Sequence, residues 1–369
     1  VLEGLEAINW HELEHAYGTA HDVPELLRNL ASADAKSRQD ALSELYSNIY
    51  HQGTVFEATV YAVPFLLELS QAEAVQDRDK ILIYLAHIAR GHSYLEVDWN
   101  LLFYSHELDN LESQVQIQQE MVWVRRVNHA VCSGTNIYLN LLEHNDSKLR
   151  IAAPYILACC RQQSSEIIPK LKQRLAQERS PQVKASLILS LSLLEPPQLA
   201  NIELFIKFIH SEESDLVQLA AAMTLAKLAK DKTPPEAIAI LLETIENPVS
   251  LREFYARSPW ANSDIVCDAS HCLCYLGSAG NLVIPALINA LNTVDSYSAL
   301  SVVRTLLYLA LNEQKLVKTA TKQNITATQR SLIEAIASCD RIWQFNSTMA
   351  NILKSFGLPE ERNQLQAFL

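Results

Sequence analysis

Four stretches of the chain repeat one phrase: DVPELLRNL from Asp22, AVPFLLEL from Ala62, IIPKLKQRL from Ile167 and VIPALINAL from Val283. In each, a proline is followed two residues later by leucine: Pro24 with Leu26, Pro64 with Leu66, Pro169 with Leu171 and Pro285 with Leu287. Proline is tolerated in a first helical turn, where its missing N–H has no partner anyway, so the pattern predicts a helix opening at each proline with one buried leucine stripe. Fourteen residues after Pro24 and Pro64 stand Arg38 and Arg78, and fifteen after Pro169 stands Lys184, each opening a second helix. Seven residues further come Leu45, Leu85 and Leu191. The same interval joins Arg150 to Leu157, Gln218 to Leu225, Val266 to Leu273, Ala299 to Leu306 and Asn346 to Leu353. Eight helices in one apolar register are an internal repeat, and a repeat constrains the fold before any motif does.

The wording of these units, as in NDSKLRIAAPYILACC and SPQVKASLILSLSLL, resembles the HEAT repeat: proline in the first helix, aspartate in the turn, then Val/Leu-Arg/Lys and spaced Ala and Leu in the second. Asp34 and Asp146 match the family's turn acid, Ser180 and Ser214 replace it, and from Gln218 onward the basic position is lost. The resemblance runs over about residues 23–369 and implies an all-α fold, a right-handed α-solenoid of about eight HEAT-like helix pairs with two insertions. The N-terminal phrasing, LEHAYG, DVP and then HQGTVFEAT before AVPFLLEL, also resembles uncharacterised bacterial HEAT-repeat proteins.

The expected organisation is a capping helix at 1–22, repeats one and two at 23–91, an insertion with an extra helix at 92–134, and repeats three to eight at 135–369. The first insertion is read as a packing element with Trp99, Phe103 and Trp123 buried, the alternative being a partner-binding flap. A second insertion at 248–262 places Arg252, Tyr255, Arg257 and Trp260 on a long turn, and long loops on rigid scaffolds concentrate function.

Composition agrees with a helical chain: only 8 glycines occur in 369 residues, and Leu, Ala, Glu, Gln and Ser form long runs. The net charge of −12 disfavours nucleic acid, whose binding is driven by Lys and Arg, and suits a protein or peptide partner that is itself basic. Seven cysteines, an odd number scattered through apolar stretches without a secretory signal, read as reduced thiols and a cytoplasmic location. No apolar run reaches the roughly 18 residues that span a bilayer, so no membrane association is expected.

The register also assigns faces. At about 100° per residue, the side opposite the core falls at the first, second, fifth and ninth positions after the basic residue. That side holds Asp268, His271 and Tyr275, with Asp264 one turn earlier, and Arg304 and Tyr308 in the next repeat. In repeats three to five it is apolar, through Tyr155, Leu189 and Met223. The second helices of a HEAT array line its concave side, so these residues, with Arg252, Arg257 and Trp260, form an expected partner-binding groove in a non-enzymatic scaffold. The opposing expectation is that neighbouring elements bury them as ordinary core. Cys267, Cys272 and Cys274 match no strong zinc spacing and read as small buried thiols. Gly53, in YHQGTV, reads as a helix C-cap.

One motif points elsewhere. HELEHAYGTAH, residues 11–21, matches the metzincin signature H-E-x-x-H-x-x-G-x-x-H letter for letter. That resemblance implies zinc on His11, His15 and His21, with Glu12 as general base. Only ten residues precede His11, too few for the substrate-binding sheet of such enzymes, and Met121, Met223 and Met349 all fall in helical patterns. The expectation is therefore a polar end-cap helix docked through Trp10 and Leu13, with no cofactor, zinc being the alternative. Two further alternatives are an acidic antitoxin-like or immunity protein and a helical-repeat DNA glycosylase, the latter opposed by a face whose cations are chiefly Lys80, Lys227 and Arg304.

Overall fold

A computed structural model describes residues 1–92, 111–195, 199–210, 213–261, 263–311 and 325–368. Trp99 and Phe103 lie outside the described residues. The chain divides into two compact bodies, Val1–Leu194 and Glu195–Leu369. Their architecture is all-α: among the described residues the only sheets are two short two-stranded hairpins.

Among the described residues, the N-terminal body carries the α-helices α1 (Val23–Asn29), α2 (Ala35–Ser47), α3 (Glu57–Gln71), α4 (Arg78–Ala89), α5 (Leu111–Cys132), α6 (Thr135–Leu141), α7 (Ser147–Leu157), α8 (Ser164–Gln177) and α9 (Pro181–Leu194). Sequential pairs α1/α2, α3/α4, α6/α7 and α8/α9 pack together, and the second helices stack from α4 to α7 to α9. Helix α5, the extra helix of the first insertion, lies against α3 and α4. Its Val127 and Val131 are buried, whereas Trp123 is half-buried rather than enclosed.

The C-terminal body carries α10 (Leu199–Ile209), α11 (Asp215–Ala229), α12 (Pro235–Glu246), α13 (Val249–Ala256), α14 (Ile265–Leu273), α15 (Ile284–Ala290), α16 (Ser296–Leu311), α17 (Ala327–Ser338), α18 (Asn346–Ser355) and α19 (Arg362–Phe368). Here the second helices run α11, α14, α16, and each packs on the next. The segment expected as a long turn at 248–262 is instead helix α13 and a short connection.

The shared register is a burial register: Leu45, Leu85, Leu157, Leu191, Leu225, Leu273, Leu306 and Leu353 expose essentially no surface. Truncating any one to alanine removes about 2–5 kcal/mol of packing. The prolines divide. Pro24 and Pro285 sit in the first turns of α1 and α15, as expected, but Pro64 and Pro169 are interior to α3 and α8. Helix α3 begins earlier because the Phe56 N–H donates to Thr59 Oγ1 at 3.0 Å, capping the chain about two turns before proline.

The basic position has a specific task. Arg38 is buried; its Nη1 donates to the carbonyls of Ser32 and Ala33, both at 2.9 Å, and its Nε to Asp77 at 2.7 Å. Arg150 repeats the pattern, with Nη1 on the carbonyls of His144 and Asn145 at 2.8 Å and Nε on Glu178 at 3.0 Å. One guanidinium thereby satisfies the turn of its own repeat and holds an acid of the next, which a lysine point charge does not replicate. Asp34, Asp146 and Asp264 cap α2, α7 and α14 by accepting backbone N–H groups, and Asp295 does the same before α16.

Candidate functional site

The N-terminal histidine segment is not the expected end-cap helix. Residues Trp10–Glu12 make one 3₁₀ turn, and the chain then extends into a hairpin of β1 (Glu14–His15) and β2 (Gly18–Thr19). Glycine at position 18, φ +113°, permits the reversal. Burial of Trp10 and Leu13 holds the segment down, with Trp10 packed 6.5 Å from Phe65 between ring centroids. His11 and His15 are therefore not neighbours on one helix face, and the metzincin geometry is absent. His15 is a buried strut: Nδ1 accepts the Tyr17 N–H at 3.1 Å, leaving Nε2 to donate to Asp22 at 3.0 Å. The same aspartate accepts from Asn48 at 2.8 Å. His11 and His21 are exposed, their rings stacked 5.9 Å apart, and Glu12 is exposed beside them. Among the described residues, no three His, Cys, Asp or Glu side chains gather in an arrangement that could hold a metal.

A second hairpin, β3 (Tyr50–His51) with β4 (Thr54–Val55), turns through Gln52 at φ +49° and Gly53 at φ +95°. Two successive left-handed residues define a tight hairpin turn, so Gly53 is not the helix cap that its sequence suggests. This hairpin ends α2 and presents Tyr50 beside α4.

There the second helices build a cluster of which only Tyr155 is among the residues expected from the register. Tyr46 of α2 is hydrogen-bonded to His87 Nδ1 of α4 at 2.7 Å, and its ring meets Tyr84 edge-on at 4.6 Å. Tyr50 lies parallel to His87 at 6.4 Å. Arg90 spreads over the Tyr155 ring of α7 at 4.4 Å and donates to its hydroxyl at 3.1 Å. Tyr84 and Tyr155 are buried, while Tyr46, Tyr50, His87 and Arg90 are half-buried and reach the surface. Burial, then the nearby Arg90 charge, lowers His87 to about 4, so its imidazole is neutral at pH 7. Burial raises the Tyr46 and Tyr50 hydroxyls. The patch is thus an uncharged aromatic surface with one guanidinium, each ring locked by its neighbour. A signal for it was present: His87 is ninth after Arg78 and Tyr155 fifth after Arg150, the two positions that face away from the core.

The residues singled out from sequence have mixed fates. Tyr155 and Met223 are buried at 2% and 6% exposure, so neither is groove surface; Leu189 is half-buried. Met223 sits on α11, a helix apolar all round and enclosed by α10, α12, α13 and α14. Arg252 does not project from a loop: Nε pairs with Asp264 at 2.8 Å and Nη2 with Asp295 at 3.0 Å, tying α13 to the caps of α14 and α16. Tyr255 is buried and donates to Asp268 at 2.7 Å, and Trp260 is buried beside it. Asp264, Asp268 and Trp260 therefore belong to a structural network that seals the second insertion against α14. Arg257 is exposed and pairs with Glu253 along its own helix. What stays open on this face is His271, Tyr275 and Arg304, with Tyr308 half-buried. His271 and Tyr275 stand edge-to-face at 5.5 Å.

Helix pairs stacked through their second helices define an all-α helical-repeat protein. Residues 168–254 match the family model described as HEAT repeats, in keeping with the paired helices seen there. HEAT repeats generally mediate protein–protein contacts and are typically non-catalytic. No curated protein matches the chain. Among solved structures, the crystal structure of an engineered protein from the Northeast Structural Genomics Consortium is 18% identical, covering 90% of this chain and 89% of its own, with a TM-score of 0.29. A likeness that low adds nothing to the fold read from the helices themselves. Among the described residues, no single helix is long and apolar enough to cross a membrane.

Proposed function

We propose that the protein is a non-catalytic scaffold that holds a protein or peptide partner on the face made by its second helices. The primary docking patch in this reading is Tyr46, Tyr50, His87 and Arg90 over Tyr155; a separate one in the C-terminal body comprises His271, Tyr275, Arg304 and Tyr308. The observation that carries it is the half-exposed Tyr/His/Arg cluster, held by a 2.7 Å hydrogen bond and an Arg-on-Tyr stack across three consecutive repeats. Tyrosine and arginine dominate binding hot spots because they bury large area with little entropy to lose, and these are already immobilised. The net charge of −12 favours a basic partner, drawn in by long-range attraction.

The test is affinity with a partner recovered from the source cell and then purified. Tyr50→Ala and Arg90→Ala, each checked for unchanged helical content, are expected to weaken binding about 10-fold or more, the loss typical of hot-spot truncation. Affinities within twofold of the parent for both variants would reject the patch.

A further inference from the structure

A cationic edge runs across the C-terminal body of a chain whose net charge is −12. Helices α14 and α16 lie side by side and in step: Ser298 donates to Asp264 at 3.5 Å, Ser301 to Cys267 at 2.9 Å, and Cys274 to Thr305 at 3.9 Å. That register sets His271 level with Arg304, and both are exposed. After α14 the chain makes a 3₁₀ segment, Cys274–Leu282, which carries the exposed Tyr275 and packs against a second 3₁₀ turn, Lys230–Lys232, at the end of α11. Lys230 and Lys232 are exposed as well. Neither α16 nor Cys274–Leu282 contains an acid; Asp268 of α14 accepts the Tyr255 hydroxyl at 2.7 Å, and Asp231 stands between the two lysines.

We propose that this edge takes a short acidic peptide segment of the partner, its carboxylates held at one end by Lys230 and Lys232 and at the other by Arg304, with an apolar side chain between them on His271 and Tyr275. The inference rests on the reading that the second helices form the docking face, and it names the chemistry that the C-terminal part of that face accepts.

Spacing and charge select that occupant. Helix α14 lies between α11 and α16, so the lysine turn and Arg304 are separated by up to about 20 Å, two interaxial spacings. An extended chain covers that distance in about six residues. The middle of the edge is the His271–Tyr275 pair, edge-to-face at 5.5 Å, which offers ring surface to an apolar side chain. At physiological salt, screening over about 8 Å lets three cations on one edge act on a few carboxylates although the chain as a whole is acidic. A nucleic acid brings a charge with every phosphate and meets the repulsion of the whole chain, so a peptide fits better. A partner that is basic overall accommodates one short acidic run.

The test is fluorescence anisotropy with the full chain and a fluorescein-labelled peptide of about ten residues, paired glutamates at each end and leucine and alanine between, beside its glutamine counterpart. The glutamate peptide is expected to bind about 10-fold tighter than the glutamine one, and Arg304→Ala and Lys230→Gly each to weaken it about 5-fold or more. Lys230 stands at φ +53° and ψ −119°, a conformation that glycine adopts without strain, so Lys230→Gly removes the charge without a cost to folding. Tyr50→Ala, in the other body, is expected to leave peptide affinity unchanged. Absence of glutamate-peptide binding, equal affinity for the glutamine peptide, insensitivity to both substitutions, or tighter binding of a single-stranded oligonucleotide of equal charge would overturn the inference. The partner's own affinity for the Tyr50→Ala and Arg90→Ala chains decides the scaffold reading independently, so the two fail separately.

Discussion

Replacing Glu178 by glutamine tests the inter-repeat ladder at its most heavily bonded acid. The side chain is 3% exposed; Oε2 accepts from Arg150 at 3.0 Å and from Arg174 at 2.7 Å, and Oε1 accepts from the backbone N–H groups of Arg179 and Ser180, both at 2.9 Å. Burial alone would raise this carboxyl, but the donors, led by Arg150, outweigh it and lower the group from 4.5 to about 2. At about 1.4 kcal/mol per tenfold, that difference is worth about 3 kcal/mol of stability. The sign is that of a depressed acid: the contribution is complete above pH 4.5 and disappears as pH falls through about 2. Linkage puts its value at about 1.4 kcal/mol at pH 3. Urea unfolding followed by circular dichroism is the assay, with parent and Glu178→Gln compared at pH 7 and pH 3. The expected gap is about 3 kcal/mol at pH 7, narrowing by more than half at pH 3. A gap that is independent of pH, or below about 1 kcal/mol at neutrality, would refute the claim that the charge on Glu178 is the joint between repeats.

Two other perturbations read different parts of the molecule. His87 titrates near 4 rather than at the ordinary 6.5, so NMR of the imidazole in the folded chain is expected to show neutral ring signals down to about pH 5. Because the unfolded chain takes up that proton first, stability is expected to fall as pH drops from 6.5 toward 4, and His87→Phe is expected to lessen the fall by about 1–2 kcal/mol, discounted for the half-exposed ring. A His87 midpoint at 6 or above would contradict the burial argument. Elemental analysis of protein purified without a histidine tag is expected to give less than about 0.1 zinc per chain, because His15 is committed to Asp22; a full equivalent lost on His11→Ala would contradict the hairpin geometry.

The parts of the fold that the sequence discloses are those written in a period. Leu45, Leu85, Leu157 and their counterparts share one interval, and an interval is a direction on a helix, so burial is readable from spacing alone. Helix starts are less readable: Pro64 suggested an opening, but Thr59 caps α3 earlier, and a cap needs only one well-placed oxygen or N–H. Asp295 does not read as a turn acid in the sequence because no basic residue follows it in register, although its carboxylate caps α16 as Asp34 caps α2. HELEHAYGTAH misleads for a related reason. Histidines four apart mark one helix face only if a helix forms, and here buried Trp10 and Leu13 with Gly18 favour a hairpin.

The candidate site was harder to see because its members come from different repeats. Tyr46, His87 and Tyr155 meet only after α2, α4 and α7 stack, and no local window contains two of them. Arg252, Tyr255 and Trp260 were conspicuous as an aromatic and basic loop, yet their partners, Asp264, Asp268 and Asp295, turn that loop into a brace. Polar residues on a repeat protein divide between bracing one repeat on the next and facing a partner, and contacts across repeats decide which.

Hydrogen exchange of the partner complex against the free chain tests the central claim most directly. The account predicts slowed exchange in peptides covering residues 44–52 and 84–92, the segments that present Tyr46, Tyr50, His87 and Arg90. Protection confined to the first helices α1, α3 and α8, with those two peptides unchanged, would contradict it.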